Sequence, residues 1–389
     1  MPPRVTGHYV PGSLAGSRYQ AFVPDPLPPD PPLDLGTADL VARKERADQA
    51  LGRLDGITMM LPDPELFLYQ YVRKEALLSS QIEGTQSSLA DLLLFELNEA
   101  PGVPLDDVEE VSNYVSALNH GLKRLRQDDF PLSLRLIREM HALLLQGGRG
   151  SSHQPGQFRT GQVWVGGSSP ALAHFVPPPP DALVGLLGAF EQFLHQPSDR
   201  VPPLVKAALA HVQFETIHPF KDGNGRLGRL LIALILCAEG VLREPTLYLS
   251  LYFKHRRAEY YERLNAVRTK GDWEGWLRFF LDGVAETAQQ AVDTAQRLLA
   301  LLAADRARIA LLGTRAGNVG LVYEQLARMV LAGVAQIRPR VALSDPTIRA
   351  AITTLNEMGI LNELTGQRRH RVYVYQAYLE ILGEGAQPL

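Results

Sequence analysis

Cysteine is almost missing from this sequence: Cys237 stands alone among 389 residues. One thiol excludes an internal disulfide framework and any cysteine-built zinc site, and it fits a reducing cytoplasm. A strong charge of one sign is missing too. The formal net charge of -3 gives no general pull toward nucleic acid or acidic membranes, so any basic site must be local. Long apolar runs are also absent. The longest, LLIALILCA from Leu230 to Ala238, falls far short of the roughly 20 residues that span a bilayer. The opening MPPRVTGHYVPGS lacks the charged-then-apolar order of a signal peptide. The expectation is a soluble cytoplasmic protein with no membrane partner. Several catalytic signatures are missing as well: no GxxxxGK(S/T) loop, no kinase motif set, and no HExxH or HxxxH metal spacing.

What is present suffices for two or three domains, with 46% hydrophobic and 21% charged residues. Residues 1–36 are proline-rich (DPLPPDPPL) and read as an extended arm lying on the body. Helical periodicity runs with breaks from Thr37 to about Leu145, including a helix from Pro64 to Glu83 closed by Gly84. From Gly147 to Pro180 turn residues dominate, with short β-type runs at Gln162–Val165 and His174–Pro177. That segment reads as a hairpin flap. Helices are expected again over 181–196, 203–217, 225–239, 255–270 and 273–312. Beyond 313, two helices (the second opened by Ser-Asp-Pro) and the alternating RRHRVYVY suggest a winged helix-turn-helix.

The informative segment is HPFKDGNGRLGR, His218 to Arg229, set between two apolar helices. Gly223-Asn224-Gly225 permits a tight turn that exposes backbone N–H groups at a helix amino end, where an anion is favoured. Arg226 and Arg229 lie three apart and share a helical face that can meet phosphates. Asp222 can hold a divalent cation that bridges phosphate oxygens. His218 is suited to taking a hydroxyl proton near neutral pH. Singly, each is more often a turn, a packed histidine or a solvated face. As one block they describe transfer of a phosphoryl or nucleotidyl group.

This block resembles the Fic family signature HPFx(D/E)GNGRxxR at every fixed position, and the preceding HVQFETI is typical of that family. The resemblance implies a mainly α Fic-type helical bundle with a small β-hairpin flap, followed by the winged-helix-like unit. It divides the chain into an arm (1–36), an amino-terminal helical region with an inhibitory helix (37–110), a catalytic core (111–275), a connecting helix (276–312) and the last unit (313–389). It implies protein adenylyltransfer: His218 as general base, Asp222 on Mg²⁺ or Mn²⁺, and ATP as substrate. Gly223, Asn224 and Gly225 would form the anion hole, Arg226 and Arg229 would meet the β- and γ-phosphates, and Leu227 and Gly228 fall within the same nucleotide-binding stretch. Phe220 would pack into the core and fix the loop. SSQIEG, Ser79 to Gly84, is similar to the inhibitory motif (S/T)xxxE(G/N), which implies that Glu83 pairs with Arg229 and blocks productive ATP binding. The flap, about 156–167, would clamp a target protein by strand addition. Tyr260 and Tyr261 are candidates for contact near the base or ribose, although helical aromatics are more often core.

Other readings stay open. Relatives transfer UMP or remove AMP, and a carboxylate at Glu83 could position an attacking water. The complete arginine pair favours ATP-dependent AMP transfer. A reading of another class is a DNA-binding regulator acting through 313–389, with Arg368, Arg369 and Arg371 of the wing on phosphates. Residues 310–389 hold eight Arg against six acidic residues, a thin margin for that role, and such units also serve protein docking or homodimerisation.

Overall fold

The computed structural model describes residues 4–14, 16–60, 64–97, 102–147, 150–366 and 370–388. Its centre is set by two helices that are apolar nearly all round and can therefore only be stable inside. These are α7 (Pro203–Ile217), in which every residue from Leu204 onward is buried, and α8 (Asn224–Ala238), buried from Arg226 to Leu236. They pack closely because Gly228 removes a side chain at the crossing. A Cβ there would stand 2.9 Å from Glu215 Oε1 and 3.3 Å from the Phe214 ring.

Around this pair lie α1 (Ala38–Met60), α2 (Pro64–Ile82), α3 (Leu89–Glu96), α4 (Leu105–Gln127), α5 (Leu134–Leu144) and α6 (Leu183–Leu194). Two short helices follow the pair, α9 (Ser250–His255) and α10 (Arg257–Lys270). Side-chain caps mark several starts: Ser88 and Asp91 form a capping box on α3, and Ser133 caps α5. The long α11 (Trp273–Ala310), capped by Asp272, is a spine packed along α1. Trp276 on α11 is fully buried and donates its indole N–H to the Ala208 carbonyl of α7, 2.9 Å away.

The carboxy-terminal unit contains α12 (Ala316–Met329), β3 (Leu331–Ala332), α13 (Val334–Ile337), α14 (Asp345–Glu357), β4 (Asn362–Glu363), β5 (Tyr373–Val374) and α15 (Gln376–Gly383). Its strands form an antiparallel sheet in the order β3-β5-β4. Ser344 caps α14, as the Ser-Asp-Pro opening predicts. The unit is tied to the spine by buried hydroxyls: Tyr375 donates to Asp305 and lies 3.2 Å from the Tyr323 hydroxyl. Its tail then returns to the amino-terminal half, where the buried Gln81 amide donates to the Ala386 carbonyl at 2.9 Å.

Several expectations need correction. The amino-terminal arm is not simply extended. Residues Gly7–Leu14 and Ser17–Pro24 pair as an antiparallel hairpin (β1, β2), and Phe22 N–H donates to Val176 O at 2.9 Å, so the hairpin lies beside the flap. The alternation in these residues was hidden by the prolines that follow. The flap is less sheet-like than its sequence suggests: one bridge, Val165 to Phe175, joins its two arms among the described residues. The helix expected over 255–270 is present as α10, whereas the short α9 that precedes it was not foreseen. Helix α15 was not foreseen, and Arg368 and Arg369 lie outside the described residues. No described helix is long and apolar enough to cross a membrane.

Where α11 crosses α9, a Cβ on Gly283 would meet the Tyr252 ring at 2.7 Å and Leu249 at 3.1 Å. Gly283→Val gains little helix propensity and overpacks a stiff aromatic contact. It should lower stability by about 2 kcal/mol, read from the denaturant midpoint at unchanged slope.

Candidate active site

The loop between α7 and α8 is held by its own side chains. Phe220 is fully buried and stacks on His141 of α5, with ring centroids 3.7 Å apart and planes 7° from parallel. The Asn224 amide closes the loop on itself: its oxygen accepts Phe220 N–H and its nitrogen donates to Phe220 O, each at 2.9 Å. Gly223 takes the left-handed conformation (φ 73°) that starts α8. Asn224 thus shapes the loop, and both ends of its amide are engaged within it.

Two histidines flank this loop with defined tautomers. His141 Nδ1 accepts Gly156 N–H at 2.8 Å, so its Nε2–H donates to Asp222 O at 3.0 Å. Burial pushes its pKa down to about 4, which keeps the ring neutral. His218 ends α7 in the left-handed region (φ 49°, ψ 62°), unusual for a non-glycine residue. Its Nδ1–H donates to Glu215 O at 3.3 Å, which leaves the Nε2 lone pair free to accept a proton. Burial, helped by the charges of Arg159 and Arg268, lowers its pKa to about 4, so the imidazole is neutral at pH 7.

The anion end of the site is filled by a carboxylate from another helix. Ser79 lies in the last turns of α2, and Glu83 and Gly84 (φ 107°) form the turn that ends it. One oxygen of Glu83 lies 2.7 Å from Arg229 Nη2 and the other 3.1 Å from Arg226 Nε, so the carboxylate bridges both arginines. Arg229 also donates to the Ser79 hydroxyl (Nε, 2.9 Å) and to the Ser79 carbonyl (Nη2, 2.9 Å). Both arginines and Ser79 are buried. Desolvation works against the charged form, but Glu83, with Tyr260, Tyr261 and Glu215 adding to it, holds the Arg229 pKa above its ordinary value. Glu110 of α4 takes a further edge of Arg226, with Nη1 to Oε2 at 3.0 Å.

The remaining expected residues divide. Asp222 has a side chain 40% exposed; one oxygen accepts Gly223 N–H at 2.7 Å, and the other lies 3.7 Å from Arg226. No described group of three His, Cys, Asp or Glu side chains could hold a metal. Leu227 is fully buried and Gly228 packs on α7, so both belong to the core. Tyr260 is buried as well. Its hydroxyl meets His211 Nε2 at 2.8 Å and its ring stacks on Phe253, so it packs in the core beside Arg229. Tyr261 is 43% exposed beside it. Sequence reasoning missed Glu110, His141 and Arg159. They come from helix α4, helix α5 and the flap stem, with no local pattern linking them to the loop.

The same segments match known sequences. A profile described as "Fic/DOC family N-terminal" matches residues 41–123, and one described as "Fic/DOC family" matches 131–236. The chain carries a Fic domain. It is 32% identical over 253 residues to a "Protein adenylyltransferase Fic" of Aedes aegypti, covering 63% of this chain and 46% of that one. A Culex quinquefasciatus protein of the same name is 32% identical over 210 residues, covering 53% of this chain and 39% of its own. This Fic chain therefore spans less than half the length of these two curated relatives. Among solved structures, a Fic family protein from Desulfovibrio desulfuricans shares the fold with a TM-score of 0.57 at 20% identity, over 87% of this chain and 96% of that one. Residues 134–508 of Fic-1 from C. elegans match with a TM-score of 0.52 at 25% identity, over 67% and 74% of the two chains.

A side chain at Gly225 would place its Cβ 2.4 Å from Glu83 Oε1 and 3.0 Å from Arg229 Nη1. Gly225→Ala should therefore destabilise the wild-type protein by ~1–3 kcal/mol. In a Glu83→Gly background it should be neutral or slightly stabilising, since Ala favours helix. A denaturation cycle over the four proteins measures this coupling, and equal effects in both backgrounds would contradict the Glu83 placement.

Proposed function

We propose that this chain transfers AMP from ATP to a Ser, Thr or Tyr hydroxyl of a target protein, or of itself, and that Glu83 restrains the reaction. The observation that carries this reading is one convergence. A neutral histidine with a free Nε2 stands at one end of a glycine-rich helix start, and two buried arginines stand just beyond it. The relatives' names support the same activity.

In the reaction, His218 Nε2 takes the acceptor hydroxyl proton as the oxygen attacks the α-phosphorus. A new P–O bond forms, the bond to the bridging oxygen breaks, and pyrophosphate leaves. The Gly223–Gly225 backbone and the two arginines stabilise the charge that builds on the phosphates. Asp222 would hold a Mg²⁺ or Mn²⁺ arriving with the phosphates. A single half-open carboxylate suits such an ion, which usually keeps waters and phosphate oxygens as its other ligands and would neutralise charge on the leaving group. Glu83 occupies the arginine edges that the terminal phosphates need, so the nucleotide and Glu83 exclude each other. The flap edge around Gln162–Val165 would receive the acceptor segment as an added strand. Residues 313–389 we read as a winged-helix-like docking unit, whose partner is a protein, a second copy of the chain or DNA.

The test uses α-labelled ATP with Mg²⁺ on wild type, Glu83→Gly and Glu83→Gly/His218→Ala. Weak labelling, a rise of roughly tenfold or more, and silence is the expected series. A silent single mutant would sink ATP-dependent AMP transfer in favour of UMP transfer or AMP removal. In the active mutant kcat should hold from neutral pH downward and fall only as pH approaches about 4, where His218 takes a proton. An acid limb centred near the ordinary histidine value would show that the base is not buried as described.

A further inference from the structure

Arg159 is a buried arginine that has no carboxylate partner within 4.0 Å among the described residues, and its hydrogen bonds there all go to main-chain carbonyls. Its Nε donates to His218 O at 2.8 Å. Its Nη2 donates to Pro178 O at 2.6 Å and Ile217 O at 3.3 Å, and its Nη1 to Gly161 O at 3.2 Å. Its own N–H donates to Pro219 O at 2.9 Å. These acceptors belong to three segments: the outgoing flap stem at 161, the returning stem at 178, and the loop 217–219 that carries the base. Burial without a counter-charge lowers the Arg159 pKa to about 10, which still leaves it charged at pH 7.

A lone buried guanidinium is costly, and nothing in the hydrophobic packing calls for one here. What the position does require is a donor that reaches several carbonyls in fixed directions, and the planar fork of arginine supplies that. His218 needs such a hold, because its left-handed backbone is strained for a residue with a side chain.

We infer that Arg159 is a positioning residue which locks the His218 backbone to both flap stems, so that the edge receiving the acceptor and the base deprotonating it keep one spacing. This rests on the reading of His218 as the base. Arg159 touches no reacting atom, and it stands apart from Arg226 and Arg229, so nucleotide binding does not depend on it. Its charge also faces His218. So do Glu215 from α7 (Oε2 4.0 Å from Nδ1), Arg268 from α10 and Glu83 from the turn after α2. Removing Arg159 takes away one of the two positive charges that oppose the imidazolium.

The experiment compares Arg159→Lys and Arg159→Met in the full chain carrying Glu83→Gly. It measures AMP transfer, ATP affinity, and the NMR titration of His218 assigned with His218→Ala. In Arg159→Met, kcat should fall about a hundredfold and the His218 midpoint should rise by about one pH unit or more. In Arg159→Lys the charge stays but the fork is lost, so kcat should fall while the midpoint stays near the parent's. The KM for ATP should stay within about threefold in both. A purely structural role would lower the yield or melting temperature of both variants without separating charge from geometry in this way. If Arg159→Met does not fold, the Lys variant decides alone. An unmoved midpoint in Arg159→Met, or kcat within about threefold of the parent in both variants, overturns the inference. If the Glu83→Gly parent transfers nothing, the failure belongs to the proposed activity, and the titration still decides what Arg159 does to His218.

Discussion

The site is organised around one carboxylate that joins two arginines. Glu83 spans Arg226 and Arg229 with an oxygen on each, inside a cleft where both guanidiniums are buried. Two like charges so placed repel each other and lose hydration unless an anion sits between them. Glu83 is that anion here, and under the proposed function the polyphosphate of the nucleotide is the other. The need for one anion and the exclusion of a second follow from the same geometry. Glu110 holds a different edge of Arg226, at Nη1, so that guanidinium has a second anchor besides Glu83.

The end that the proposal assigns to proton transfer is built differently, on imidazoles kept uncharged. His218 and His141 are both neutral because burial disfavours their charged forms, and each has its tautomer fixed by a main-chain partner. His141 ties the flap base to Asp222, and Arg159 ties both flap stems to His218. A loop that would otherwise be held by Phe220 and Asn224 alone becomes continuous with the flap. Both chemical ends are thus placed by long-range contacts on a rigid pair of helices, α7 and α8.

The extent to which all this was legible in the sequence follows from how local each feature is. Helices α7 and α8 could be read almost to the residue, because mostly apolar stretches flanking a glycine-rich turn have one stable location, inside. The loop between them was legible because its glycines and charged residues are contiguous, and the Glu83–Arg229 pair because two short motifs resemble those of one family. The partners of that loop were not legible. His141 and Arg159 lie 77 and 59 positions before His218 by their numbering, and Glu110 lies 116 before Arg226. Nothing in their own neighbourhoods signals the contact. Tyr260 was ambiguous in the sequence because a helical aromatic is more often core than ligand contact, and in the structure its hydroxyl packs on His211 and its ring on Phe253. The amino-terminal hairpin was obscured by nearby prolines, whose turn signal outweighed the alternation before them.

The central claim is that Glu83 stands where a phosphate group must go. The most direct measurement is the calorimetric affinity of ATP with Mg²⁺, and of pyrophosphate alone, for wild type and for Glu83→Gln. The Gln side chain keeps the size and removes the charge. The account predicts that both ligands bind at least about tenfold more tightly to the Gln protein, with pyrophosphate gaining as much as ATP because the competition is for the arginines alone. Equal affinities for the two proteins, or a gain seen with neither ligand, would contradict it.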